Sequence, residues 1–110
     1  MANLLYIGED LTVTWTGASV TVNGTTSYLN SATVTYAITD AAGTAVSGGT
    51  GTLSYIAASN GNYEGTIESS VLTPSNFTEG RTYLIDITLS QSGYNGMRRL
   101  VCRAAYRGED

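Results

Sequence analysis

Apolar and polar residues alternate at period two along much of this chain, and no stretch of a dozen residues carries an apolar stripe at helical spacing. In Thr33–Thr39, Val34, Tyr36 and Ile38 fall on one side while Thr33, Thr35 and Thr39 fall on the other, which predicts a half-buried strand. Leu11–Thr16 repeats the pattern with Leu11, Val13 and Trp15 inward, and Ala18–Val22 resumes it after a break at Gly17. Tyr83–Ser90, with Tyr83, Ile85, Ile87 and Leu89 on one face, predicts a central strand. Thr52–Ile56 and Tyr63–Ile67 predict two shorter strands. The last strand is expected over Met97–Tyr106, with Leu100, Cys102 and Tyr106 facing the core.

The punctuation between these segments is that of a β protein. Asp40-Ala41-Ala42-Gly43 predicts a tight turn, because an aspartate carboxylate accepts from the backbone that follows it and glycine takes a positive φ freely. Asn60-Gly61 signals a hairpin between Thr52–Ile56 and Tyr63–Ile67. Asn23–Asn30 reads as a polar loop with Tyr28 and Leu29 folded back onto the strands, and Gln91–Gly96 as a hairpin loop. Glu68–Gly80 lacks alternation and predicts a crossing between sheets, with one helical turn started at Thr73 or Ser75. Gly48-Gly49-Thr50-Gly51 has neither the lysine nor the helix of a phosphate loop and reads as a flexible connection or bulge.

These elements predict an all-β, two-sheet sandwich of about seven strands, of immunoglobulin or fibronectin type III kind, with a small barrel as the second choice. The chain of 110 residues is read as a single domain over 1–110, in which residues 1–10 form a possible N-terminal docking segment. That segment, MANLLYIGED, has no basic stretch and no long apolar run, so neither a signal peptide nor a membrane anchor is expected. Synthesis in a cytoplasm is the corresponding expectation, and the sequons at Asn23 and Asn76 are read as chance matches. Cys102 is the single cysteine, which excludes an intramolecular disulfide scaffold.

Charge is distributed unevenly. The chain contains no lysine and no histidine. Residues 97–110 carry Arg98, Arg99, Arg103 and Arg107 against Glu109 and Asp110, a balance of +2, while residues 1–96 balance at −6. The acidic body opposes phosphate attraction, so nucleic acid is not expected as a partner.

Two segments carry a family resemblance. Gly80-Arg81-Thr82-Tyr83-Leu84-Ile85-Asp86-Ile87, preceded by Leu72-Thr73-Pro74, is similar to the fibronectin type III segment in which a tyrosine opens the penultimate strand and anchors the corner. Trp15 could stand for the tryptophan such domains bury early, whereas the cysteine pair of antibody domains is missing. The block Ala32–Ile67, with its Asp-x-x-Gly-Thr turn, Leu-Ser-Tyr strand and Asn-Gly-Asn-Tyr-Glu-Gly-Thr-Ile return, resembles small immunoglobulin-like virion proteins of tailed phages and the N-terminal domain of some phage baseplate proteins. The resemblance implies a structural virion component, a capsid decoration protein or a head or neck accessory, with no catalytic residues and no cofactor.

The candidate chemistry is sparse. Without histidine or lysine the usual general bases for a serine or cysteine nucleophile are missing, so an enzyme is not expected. Zinc is not expected either, since one cysteine cannot supply its usual ligand set. Calcium would require Glu9, Asp10 and Asp40 to meet at one end, and Glu64 with Glu68 as a glycosidase pair would point to solvent. The partner-binding candidates are Arg99, Arg103 and Arg107, together with Tyr28 and Tyr94. At about 3.3 Å per residue the three arginines would line one side of the last strand over roughly 26 Å. They would meet an acidic partner or guard an exposed edge. Loop tyrosines add apolar contact area with few torsions to freeze. The expected partner is a phage major capsid protein or a neck or tail protein, with a homo-oligomer on the virion also open and no membrane involved. The rival expectation is a carbohydrate- or cell-surface-binding module that uses Trp15, Tyr28, Tyr94 and Asn95 as an aromatic platform.

Overall fold

The computed structural model describes residues 3–91 and 93–108 of the chain. Ala2 of the N-terminal segment, Ser92 of the predicted hairpin loop, Glu109 and Asp110 lie outside the described residues. Nine strands follow in order: β1 (Asn3–Tyr6), β2 (Leu11–Trp15), β3 (Ser19–Val22), β4 (Thr25–Tyr28), β5 (Thr33–Asp40), β6 (Ala45–Tyr55), β7 (Tyr63–Ile67), β8 (Thr82–Gln91) and β9 (Tyr94–Ala105). Seven of them form one continuous sheet in the order β1-β9-β8-β5-β6-β7-β2, and β3 pairs with β4 in a separate two-stranded sheet.

The seven-stranded sheet curls into a mostly closed, sandwich-like body because β6 serves both layers. Its middle pairs with β5, from Val34↔Leu53 to Ala37↔Thr50, and its end pairs with β7 through Ser54↔Glu64 and Tyr55↔Tyr63. A register shift lies between Ala37 and Thr39, so the glycine-rich stretch is the bulged part of one long strand. Gly51 within it sits beneath Tyr36; a Cβ there would fall 2.5 Å from the phenol oxygen, so the ring occupies the space a side chain would need. The two ends of the order, β1 and β2, flank a groove of about 280 Å³ lined by Asn3, Leu4, Leu11, Val13, Leu100 and Cys102, among others.

The alternating positions point inward as the pattern predicts. Val13, Trp15, Val34, Tyr36, Ile38, Leu53, Tyr63, Ile67, Tyr83, Ile85, Ile87, Leu89, Cys102 and Ala104 are all buried. Glu68–Gly80 makes the crossing, with the Phe77 amide donating to the Thr73 carbonyl at 2.9 Å to close a single helical turn. That turn buries Leu72 and Phe77 at one end of the core, where Phe77 packs tilted against Tyr83 at a 4.5 Å centroid distance. Tyr83 enters β8 as its second residue and accepts a 2.8 Å hydrogen bond from the Thr78 amide, so the ring ties the crossing to the sheet. At the Asp40 turn, the carboxylate accepts from the amides of Ala42 (2.9 Å) and Thr44 (3.0 Å), and Gly43 has φ +90°.

Four expectations are corrected. Asn23–Asn30 is not a loop: Asn23 and Gly24, with φ of 51° and 79°, form a tight turn, and Thr25–Tyr28 returns as β4. Tyr28 does not fold back but is 51% exposed, whereas Leu29 is buried. Tyr106 lies beyond the end of β9 and is 37% exposed, because Ala104 takes the last core position. Gln91–Gly96 is not a loop throughout, since β8 runs to Gln91 and β9 begins at Tyr94. Beside these corrections, Asn3–Tyr6 forms a parallel strand on β9, with Leu5 fully buried and the Ile7 amide donating to the Ala105 carbonyl.

Candidate docking site

The β3–β4 hairpin stands apart from the rest of the molecule. Every residue from Thr21 to Tyr28 is exposed, and among the described residues the hairpin joins no other strand. Only its base touches the core, through half-buried Val20 and buried Ala18 and Leu29. The longest dimension of the molecule is 48 Å against 28 and 25 Å, and the radius of gyration of 15.2 Å exceeds the roughly 13 Å of a round domain of this length. Its exposure and its separation from the seven-stranded sheet make the hairpin an arm on the body. Its strands are in register from Ser19↔Tyr28 to Val22↔Thr25, and the Thr21 and Thr26 hydroxyls bond at 2.9 Å across one face.

The base of the arm is fixed with unusual care for an element that buries so little. On one side the Gly17 amide donates to Asn62 Oδ1 and the Ala18 amide to the Gly61 carbonyl, both at 2.8 Å. On the other, the Leu29 amide donates to the Ala18 carbonyl and the Gly61 amide to Asn30 Oδ1, again at 2.8 Å. Buried Tyr63 donates its hydroxyl to the Leu29 carbonyl at 2.5 Å and accepts from the Ala32 amide at 2.9 Å. Gly61, with φ +73°, is required here, since a Cβ would lie 2.3 Å from the Ala18 carbonyl oxygen. The Asn60-Gly61 turn thus closes the β6–β7 hairpin and also seats the arm.

The five predicted contact residues do not form one patch. Arg99 and Asp86 are cross-strand neighbours on β9 and β8, and Arg99 Nε and Nη2 donate to the two Asp86 carboxylate oxygens at 2.6 and 3.0 Å. This fork hydrogen bond and its charge hold the Asp86 carboxyl below its usual range, against a smaller opposing effect of burial. Arg107 lies past the end of β9; its Nε meets the Glu9 carboxylate at 2.8 Å and its guanidinium stacks 4.1 Å from the Tyr6 ring centroid. Arg103 is exposed on β9 opposite Thr82 and beside Leu4 of β1. Tyr28 closes the arm, while Tyr94 opens β9 and lines a small cleft with Trp15, Ser19, Leu29 and Arg98.

Trp15 is buried and unavailable as a stacking platform. Arg98 covers its ring at 4.4 Å from the centroid and reaches the Thr16 carbonyl, and the indole N–H has no hydrogen-bond partner among the described residues. On the outer face of β1, β9 and β8, Leu4, Val101 and Met97 are exposed around the Arg99–Asp86 pair. Nearby, Thr33, Thr35, Thr88, Ser90, Asn95 and Met97 are among the residues lining a shallow depression of about 470 Å³.

The residues considered for chemistry are dispersed. Glu9 is paired with Arg107, Asp10 accepts from the Ser69 amide at 2.7 Å, and Asp40 is engaged in its own turn. Among the described residues no three histidine, cysteine, aspartate or glutamate side chains converge on a metal position. Glu64 and Glu68 are exposed. Cys102 is buried, and burial pushes its thiol pKa up, away from the reactive thiolate.

Comparison of the chain with family models, curated proteins and solved structures finds no match.

Proposed function

We propose that this protein is a non-enzymatic structural accessory of a phage virion, an immunoglobulin-like or fibronectin type III-like sandwich that docks on the capsid or the head-tail region. The observation that carries the contact role is the arm. Hydrogen bonds from three loops hold its base, while Thr21–Tyr28 stays exposed. An isolated two-stranded hairpin is marginal in water, so a rigid seat under a solvent-exposed hairpin serves presentation to another molecule. The sandwich class is supported by the Tyr83 to Thr78 bond at the crossing, by burial of Trp15 and by a strand that serves both layers. The phage assignment rests on the turn phrasing of Ala32–Ile67, and synthesis in the host cytoplasm goes with it. Mass spectrometry of gradient-purified particles tests it: the chain should be present at a fixed ratio to the major capsid or neck protein. Its absence from particles of a strain that expresses it would refute the assignment.

The carbohydrate-binding reading loses its central ring, because Trp15 is covered by Arg98. It retains exposed Tyr28, Tyr94 and Asn95, which do not share a strand face with one another as a platform would require.

A further inference from the structure

Arg98 continues the row of β9 that Leu100, Cys102 and Ala104 occupy, and so brings a charge to the mouth of the core. Its guanidinium lies over the ring of Trp15, 4.4 Å from the centroid, and Nη2 donates to the Thr16 carbonyl at 3.3 Å. Among the described residues Arg98 has no carboxylate partner, whereas Arg99 and Arg107 are paired with Asp86 and Glu9. Trp15 is 5% exposed, yet its indole N–H is enclosed without an acceptor among the described residues. Buried donors are almost always satisfied, so an orphaned one asks what completes it. Trp15 and Arg98 line the same cleft of about 120 Å³, together with buried Leu29 and Leu89 and the hydroxyl-bearing Ser19 and Tyr94.

We infer that this cleft binds one carboxylate group, which accepts from the Arg98 guanidinium and the Trp15 indole N–H together. Charge decides the ligand class, because the lining holds one cation and no acid. A neutral hydroxyl would satisfy the indole and leave the guanidinium without a counter-charge, whereas a planar carboxylate offers an oxygen to each donor. A single positive group in a chain of net charge −4 suits a monoanion and opposes a phosphate dianion. Size agrees: the cleft has the volume of about four waters at roughly 30 Å³ each, room for a carboxylate and the short stem that carries it. Arg98 is exposed and held by one long hydrogen bond, so it turns aside to admit the anion and folds back onto it. The carboxylate comes either from a small free acid or from an aspartate or glutamate side chain of a partner, and the choice of probe separates the two.

The site is independent of the virion assignment and is measured on the purified full chain. Trp15 is the single tryptophan, so the protein gives one indole N–H signal in a nitrogen-correlated NMR spectrum. Sodium acetate, exchanged for sodium chloride at constant ionic strength, should move that signal downfield with half-saturation at about 1–10 mM, and Trp15 fluorescence should follow. Arg98→Gln should weaken the response at least about ten-fold. Arg98→Lys, which keeps the charge and loses the fork, should weaken it less, and Arg81→Gln should leave it unchanged. An equal response to the methylamide of N-acetylaspartate identifies a partner's side chain as the ligand, and a response to acetate alone identifies a small free acid. An indole signal that stays in place up to about 100 mM acetate in folded wild-type protein would overturn the inference and leave the N–H to an ordered water. An equal shift in Arg98→Gln, or the same shift with chloride alone, would also overturn it.

Discussion

Gly61→Ala should be far more damaging than the same substitution at Gly8, although both glycines have positive φ, +73° and +87°. At either site alanine incurs about 1–2 kcal/mol from the left-handed backbone, offset by about 0.4–1 kcal/mol from the stiffer unfolded chain. At Gly8 a Cβ meets nothing within 4 Å, so the net loss should stay near 1 kcal/mol. At Gly61 it would sit 2.3 Å from the Ala18 oxygen and 2.6 Å from the Ala18 nitrogen, both backbone atoms that cannot rotate away. The two segments must separate by about 0.7 Å or more to bring that contact back to 3.0 Å. Separation stretches the 2.8 Å bond from the Ala18 amide to the Gly61 carbonyl and shifts the Gly61 amide from Asn30. At about 1 kcal/mol for each bond, Gly61→Ala should cost about 3 kcal/mol in all. Urea unfolding followed by Trp15 fluorescence and far-ultraviolet circular dichroism gives both values on one scale. A difference between the two variants below about 0.5 kcal/mol would refute the claim that the 59–62 turn and the base of the arm are locked together.

Other consequences are open to simple measurements. Tyr83→Phe removes the acceptor for the Thr78 amide and should cost about 1–2 kcal/mol in urea unfolding; a neutral result would deny the ring its role at the crossing. The Asp86 carboxyl, held low chiefly by its hydrogen bond from Arg99, contributes stability that is present above its unfolded pKa and lost as pH falls through the folded value. Arg99→Met should therefore raise the Asp86 pKa seen by carbon-detected NMR and flatten that acid loss, and an unmoved Asp86 titration would contradict the pairing. Cys102 should resist Ellman's reagent in the native state and react only as fast as the protein opens; rapid stoichiometric labelling would contradict its burial.

The core was readable where burial imposes a period. Val34, Tyr36 and Ile38, or Tyr83 through Leu89, alternate because one face of each strand must be apolar. The arm was not, because β4 buries nothing and burial had no pattern to impose; the remaining signal was Asn23-Gly24, a hairpin dipeptide that stands in the midst of polar residues. In β1 the apolar run Leu4-Leu5-Tyr6-Ile7 conceals its period, since Leu4 is exposed beside fully buried Leu5. The arginines illustrate a different limit. Asp86 opposite Arg99 depends on the β8–β9 register, and Glu9 with Arg107 joins residues 98 positions apart, so neither pair is visible before the topology is known. The seat of the arm likewise needs residues 17–18, 29–32 and 61–63 to converge, which no local pattern announces.

On the reading proposed above, the arm serves contact and not the stability of its own body. The decisive experiment replaces residues 20–27 with a two-residue Asn-Gly connection and measures retention of the variant on particles from a strain lacking the chain. The shortened protein should unfold within about 1 kcal/mol of the wild type yet fail to be retained. Wild-type levels of retention by a shortened protein that remains folded would contradict it.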